Sequence, residues 1–201
     1  MKMKTEEIAE GIYLIGGPNV TRPEDAAVYL VDFGDELVMI DSGAGNSSSQ
    51  LDRNIEMLGL KPSKLTQIIL THCHIDHIGS ATYFREKYKS EIVIHELDAR
   101  ALETGDSMKT AANWYGTTFP PTRVDRKLKG AHEILNFGQE DLHCLHTPGH
   151  TPGSISVYLD RAGQRILFGQ DIHGPFNRAF DSDIAAWRKS MNVLLLLEAD
   201  I

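Results

Sequence analysis

Thr71-His72-Cys73-His74-Ile75-Asp76-His77-Ile78-Gly79 places three imidazoles and a carboxylate within six residues. The apolar run before it, Gln67-Ile68-Ile69-Leu70, reads as a buried strand, and a glycine and a helical pattern follow. Side chains alternate along a strand, so His72 and His74 point to one side and Cys73 to the other. Asp76 and His77 sit in the turn beyond, where they can come back over the same side. Imidazole nitrogen and carboxylate oxygen are ligands that zinc and related metals take. Nine histidines in the chain make a chance pair ordinary, but not His-x-His-x-Asp-His at a strand end. Cys73, pointing away, reads as a small buried hydrophobe and not as a ligand.

Upstream, Ile12–Ile15, Ala26–Val31 and Glu36–Ile40 read as strands, with Phe33-Gly34-Asp35 as a hairpin loop between the last two. The third strand runs into Asp41-Ser42-Gly43-Ala44-Gly45-Asn46. Gly-x-Gly after a strand hints at a dinucleotide loop, but Ser48 stands where the third glycine belongs. A tight turn and a serine capping the next helix, about 48–58, is the plainer reading. Downstream, Ala81, Phe84 and Tyr88 keep helical spacing, and Glu91–His95 reads as the next strand, with His95 either structural or supporting the ligands from behind, and not itself a ligand.

Residues 103–123 differ in texture. Trp114, Tyr115 and Phe119 lie in this long connection and either wall a binding site or cover the helices beneath. Strands resume near Val124 and again at Asp141–His146. The second informative stretch is His146-Thr147-Pro148-Gly149-His150-Thr151-Pro152-Gly153-Ser154. Its two Pro-Gly pairs fix a sharp loop that presents His150 at a strand end, with His146 as the competing candidate. Ile155–Tyr158 and Arg165–Phe168 then pair around Asp160-Arg161-Ala162-Gly163, and the second strand ends at Gly169-Gln170-Asp171. His173 either faces the same side as Asp171 or is a plain loop histidine. From Asp183 onward Ile184, Trp187, Met191 and Leu194 mark a helix, and Leu195–Ile201 is expected to begin a strand.

Composition narrows the classes. A length of 201 residues suits one large domain or two small ones with a full core. No window holds the ~18 unbroken apolar residues of a membrane helix, and the start lacks the apolar segment of a secretion signal. The net charge of −8 argues against a nucleic-acid surface. Two cysteines make no disulfide framework, which leaves a reduced cytoplasm as the default location. The expected partner is a small-molecule substrate, with no nucleic acid and no membrane, and a homodimer is left open.

The two histidine stretches resemble the signature of the metallo-β-lactamase-fold hydrolases, the superfamily that includes glyoxalase II. The resemblance runs from about Gly11 to the last residue and implies an α+β fold, a four-layer αββα sandwich of two mixed β-sheets forming a single domain over 1–201. It implies that His72, His74 and His150 bind one metal, and that Asp76, His77 and a bridging Asp171 bind a second. The implied cofactors are two divalent ions, zinc first, with iron or manganese as the other candidates. Asp76 would also orient a metal-bound hydroxide, and Asp41 matches an aspartate that props the metal-binding loop from behind. The expected pocket wall is Trp114, Tyr115 and Phe119 with His173, Phe176 and Arg178. The implied reaction is hydrolysis of an ester, thioester or lactone. Glyoxalase II carries a further helical region for its glutathione thioester, which turns the expectation toward another thioester or lactone. Two departures stand out: Gln170 replaces the commoner glycine before the aspartate, and the family's final strand and last motif histidine have no counterpart. The second departure keeps two other readings open, a single-iron persulfide dioxygenase using His72, His150 and Asp171, and a domain with an incomplete metal site.

Overall fold

The computed structural model describes residues 5–169 and 171–201. Strands β1 (Glu6–Ala9), β2 (Ile12–Gly16), β3 (Val28–Asp32) and β4 (Leu37–Ile40) form an antiparallel meander. Helix α1 (Ser48–Met57) leads to β5 (Leu65–Ile69), and the histidine stretch holds the short helix α2 (Ile75–Ile78). Helix α3 (Ala81–Tyr88), β6 (Glu91–His95), α4 (Glu96–Thr104) and β7 (Arg126–Leu128) follow. Strands β4 to β7 run parallel, completing a seven-stranded mixed sheet in sequential order. Strands β8 (His132–Phe137), β9 (Glu140–His146), β10 (Ile155–Arg161) and β11 (Gln164–Phe168) form a second sheet of four, antiparallel throughout. Helix α5 (Ile184–Leu195) closes the chain.

Alternation along the strands builds the layers. In β4, Leu37 and Met39 face a cluster that takes in Leu51 and Ile55 of α1, Phe84 of α3 and Leu102 of α4. Val38 and Ile40 face the other way, onto Leu135, Leu142, Val157 and Phe168 of the second sheet. Leu145 and Tyr158, on that sheet's far side, pack against Leu194 of α5. A sheet whose two faces are both covered reads as continuous apolar run, which is why Leu37–Ile40 is buried at every position. The order of layers is helix, sheet, sheet, helix, as the resemblance implies. No helix among the described residues is long and apolar enough to cross a membrane.

Four elements depart from the sequence reading. Residues 195–201 do not begin a regular strand, because α5 runs to Leu195 and a turn follows. Only the last two residues extend along β11, where the Asp200 and Ile201 N–H groups donate to the Arg165 carbonyl and Ile201 accepts from the Leu167 N–H. An unbroken leucine run has no period to tell helix from strand. Helix α4 and strands β1 and β8 were not foreseen separately, and α4 proves to matter for the site.

Candidate metal centre

The parallel strands deliver the first half of the site. Asp41 follows β4, and its buried carboxylate accepts from the Thr71 N–H at 2.8 Å, from the Thr71 hydroxyl, and from His77 Nδ1 at 2.7 Å. The His77 carbonyl accepts from both the N–H and the hydroxyl of Ser42. Asp41 adopts a left-handed backbone, φ 58°, an uncommon conformation for a non-glycine residue that these contacts hold in place. The turn at residues 43–45 lies so close to α2 that a Cβ on Gly79 would fall 2.1 Å from the Ala44 carbonyl carbon.

The second sheet supplies the rest. The β9–β10 loop carries His150, whose Nδ1 donates to the Pro175 carbonyl at 2.8 Å. That bond leaves Nε2 unprotonated and turned inward. Helix α5 braces the loop. The Ser190 hydroxyl donates to the Pro148 carbonyl, and Trp187 packs so tightly on Gly149 that a Cβ there would lie 2.5 Å from the Trp187 Cβ. Asp171 follows β11 in a left-handed conformation. Gln170 lies outside the described residues.

These elements bring together two groups of potential ligands, His72, His74, His150 and Asp171, and Asp76, His77 and Asp171. In the first, His74 Nδ1 lies 3.1 Å from His72 Nε2 and 2.8 Å from His150 Nε2. One oxygen of Asp171, Oδ2, is 3.7 Å from His72 Nε2, 3.4 Å from His150 Nε2 and 3.5 Å from His77 Nε2, so it faces both groups. His77 Nε2 also lies 3.6 Å from Asp76 Oδ2.

The donor chemistry fits a cation. His77 gives its Nδ1 proton to Asp41, so its buried Nε2 faces two carboxylates and has no hydrogen-bond partner. Two carboxylates facing a buried ring nitrogen call for a positive charge there, whether a proton or a metal ion. Burial, followed by the neighbouring imidazoles His77, His74 and His150, holds the His72 pKa far below its usual value. His74 is lowered to about 3, by burial and then by His150 and His77. Burial also lowers His150, against the pull of Asp171. These three rings are therefore neutral, the form in which imidazole binds metal. Burial opposes charge on His77, but Asp41 and Asp76 outweigh it and raise its pKa. Asp171 is driven down to about 2, burial opposing and His77 prevailing.

One residue that organises the site gave no signal in the histidine stretches. Asp98 of α4 is fully buried; its Oδ2 accepts from the Cys73 N–H and the Thr151 hydroxyl, and its Oδ1 accepts from the Gly153 N–H. A single carboxylate thus ties the segment bearing His72 and His74 to the loop bearing His150. The available clue was an acidic residue on the same helix face as Ala101 and Leu102.

The remaining expectations divide. Cys73 points away from the histidines and bonds the Lys109 carbonyl, and His146 turns from the cluster to stack on His95 and bond the Pro152 carbonyl. Trp114 and Tyr115 stand half-exposed at the rim. Trp114 packs on Phe180 at 4.8 Å, and Phe180 packs on His74 at 4.2 Å. Phe180 was not among the residues expected from sequence. Phe119 does not line the opening; it is buried in the helix-side core with Leu102 and Ala112, the fate of a large apolar ring offered a packed site. Phe176 packs edge-on against Trp187, Arg178 is exposed, and His173 lies near enough to Asp171 to help lower its pKa.

The chain is similar to known proteins in sequence and in fold. A sequence model described as the metallo-beta-lactamase superfamily matches residues 21–200. A probable metallo-hydrolase of Methanocaldococcus jannaschii is 27% identical over 169 residues, covering 83% of this chain and 78% of that protein. A probable metallo-hydrolase of Bacillus subtilis is 31% identical over 140 residues, 70% of this chain and 63% of that one. An acyl-coenzyme A thioesterase of Gallus gallus is 27% identical over 92% of this chain and 69% of its own. Among solved structures, a beta-lactamase from Chitinophaga pinensis superposes with a TM-score of 0.84 at 22% identity, covering 100% of this chain and 77% of that one.

Proposed function

We propose, from the premise that the chain belongs to the metallo-beta-lactamase superfamily, that it hydrolyses a small ester, thioester or lactone with two divalent metal ions bound side by side. The observation that carries this reading is the single oxygen of Asp171 facing both ligand groups. Bound zinc would lower the pKa of a water from 15.7 to roughly 7 and polarise the scissile carbonyl. His72, His74 and His150 would hold one ion, and Asp76, His77 and Asp171 the other.

The chain's own residues then have separable tasks. Asp41 fixes the ring of His77 and the backbone before His72, so the ligands are pre-set and little ordering is needed on binding. Asp76, 20% exposed, offers a carboxylate oxygen to orient an attacking water. Phe180 and Trp114 form an apolar wall beside His74 that keeps bulk water from that flank. A thioester is the first substrate class to try, since relatives from Gallus gallus, Bos taurus and Homo sapiens bear the name acyl-coenzyme A thioesterase.

The test is metal content measured together with turnover of acyl-coenzyme A thioesters, aryl esters and lactones. Two zinc ions per chain and cleavage of at least one class are expected. One iron per chain with oxygen consumption would replace this proposal with the dioxygenase reading.

A further inference from the structure

Nine histidines lie in this chain, and the candidate centre absorbs four of them. His173 stands near Asp171, and His95 and His146 stack on each other. The last two, His132 and His143, meet on the outer face of the second sheet, where His132 Nε2 lies 3.0 Å from His143 Nδ1.

The strand ladder produces this meeting. His132 on β8 pairs with Leu145 on β9, and Ile134 pairs with His143, so the two histidines are diagonal neighbours on one face. Diagonal neighbours on a sheet are close enough for ring side chains to touch. Leu135 and Phe137 point the other way, into the core between the sheets, and that burial fixes the register. The pair is also already ordered. His143 lies flat on the ring of Tyr158, its direct partner on β10, with centroids 4.4 Å apart and planes within 6°. Tyr158 is itself buried and packs against Leu194 of α5. The Arg165 guanidinium, gripped by Asp160, sits 5.2 Å from the centroid of the same tyrosine ring. His132 is exposed and leaves the pair open to solvent.

We propose that His132 and His143 form a further metal site on the outer face of the second sheet, taking a divalent transition ion that favours imidazole, copper(II) above the others. Two nitrogens 3.0 Å apart can both stand at the ~2.0–2.1 Å that imidazole keeps to a metal such as zinc. The ring nitrogens of the candidate centre show similar spacings, 2.8 Å for His74 with His150 and 3.1 Å for His72 with His74. An ion replaces the proton shared by His132 and His143. The ring that carried it moves that proton to its other nitrogen, so both rings stay neutral and each offers a lone pair. No third ligand atom joins the pair among the described residues, since Asp141 is bonded by Asn136 and Asp160 by Arg165. Water fills the remaining positions, which keeps the ion exchangeable. Copper(II) stands at the top of the affinity order for such nitrogen and oxygen sites.

The experiment is Cu²⁺ titration of the metal-loaded protein, followed by calorimetry and by electron paramagnetic resonance, for wild type, His132→Ala, His143→Ala and the double variant. The metal retained at the candidate centre is assayed after each titration. Wild type should bind one Cu²⁺ per chain beyond the centre, with hyperfine splitting from two equatorial nitrogens. Either single substitution should weaken that binding roughly a hundred-fold, because the second imidazole joins at the high effective concentration set by the first. The double variant should lose little more, since each single change already breaks the chelate. Ni²⁺ should follow the same pattern at lower affinity. His132→Ala is the cleaner variant, because His143 also packs on Tyr158, and it should leave the melting temperature and the centre's metal content unchanged. No copper beyond the centre, a spectrum with one nitrogen, or an affinity indifferent to both substitutions overturns the proposal. Copper taken up only in exchange for the centre's own ion also overturns it. Substrate turnover enters none of these readouts, so a failure of the hydrolase reading would leave this result standing.

Discussion

At the scale of single residues, the site is braced by buried carboxylates that stand behind the histidine cluster. Asp98 carries the sharpest expectation. Burial raises its pKa despite the bonds that oppose the shift, so the ionised form survives on its three donors. Asp98→Asn places an amide N–H₂ against donors and should cost about 2 kcal/mol of stability. It should also weaken metal binding at the three-histidine group, because the segments carrying His74 and His150 lose their common tie. Chemical denaturation and metal titration would measure the two effects, and a variant with normal metal affinity would show that the tie is dispensable. This residue also marks where sequence reading stops. His72, His74, Asp76 and His77 stand out by their spacing, and the resemblance to the metallo-β-lactamase fold is what favours His150 over His146. Asp98 sits in Glu-Leu-Asp-Ala-Arg, an ordinary helical stretch whose meaning comes only from what packs against it.

At the scale of elements, close backbone approaches fix where the potential ligands stand. Gly79→Ala should lower the unfolding free energy by several kcal/mol, since the added methyl meets backbone atoms of Ala44 and Gly45 that cannot yield as a side chain would. The same change should displace His77, so metal binding should fall with stability; a variant of wild-type melting temperature would contradict this packing. Away from the site, Asp125 staples α3 to the sheet through a two-pronged pair with Arg85 and by accepting the Ile92 N–H. Burial opposes ionisation of Asp125, but Arg85 prevails and its pKa lies below the ordinary 3.8. A depressed carboxylate contributes stability that is present above its unfolded pKa and lost as pH falls through the folded one. The stability gap between wild type and Asp125→Asn should therefore be full at neutral pH and shrink below about pH 4, and a gap independent of pH would refute the linkage. Strands and helices with a clear period were legible in the sequence, β5, β6 and α3 among them. The connections were not, because burial in a loop follows the available cavity and not a repeat. Hence Phe119 went to the core while Trp114 and Tyr115 stayed at the rim.

At the scale of the whole molecule, the candidate centre lies where the two sheets meet, and each sheet gives potential ligands to it. The segment after β5 supplies His72, His74, Asp76 and His77, while the loops around β10 and β11 supply His150 and Asp171. Stripping bound metal with a chelator should therefore lower the melting temperature of the entire domain and not merely loosen one loop. Calorimetric scans with and without chelator test this, and an unchanged midpoint would mean that the sheets dock without help from the centre.

His74 and His150 are separated by 76 positions in the chain but by 2.8 Å in space. An ion gripped by both is, in polymer terms, a removable cross-link that closes a long loop. By the chain-entropy relation for disulfides, closing a loop of that length withdraws roughly 4–5 kcal/mol of freedom from the unfolded chain. Unlike a disulfide, this link opens without reductant, simply by exchange with the surroundings. Metal supply would then set the lifetime of the folded molecule as well as its chemistry, with starved molecules unfolding faster under heat, protease or mechanical load than loaded ones.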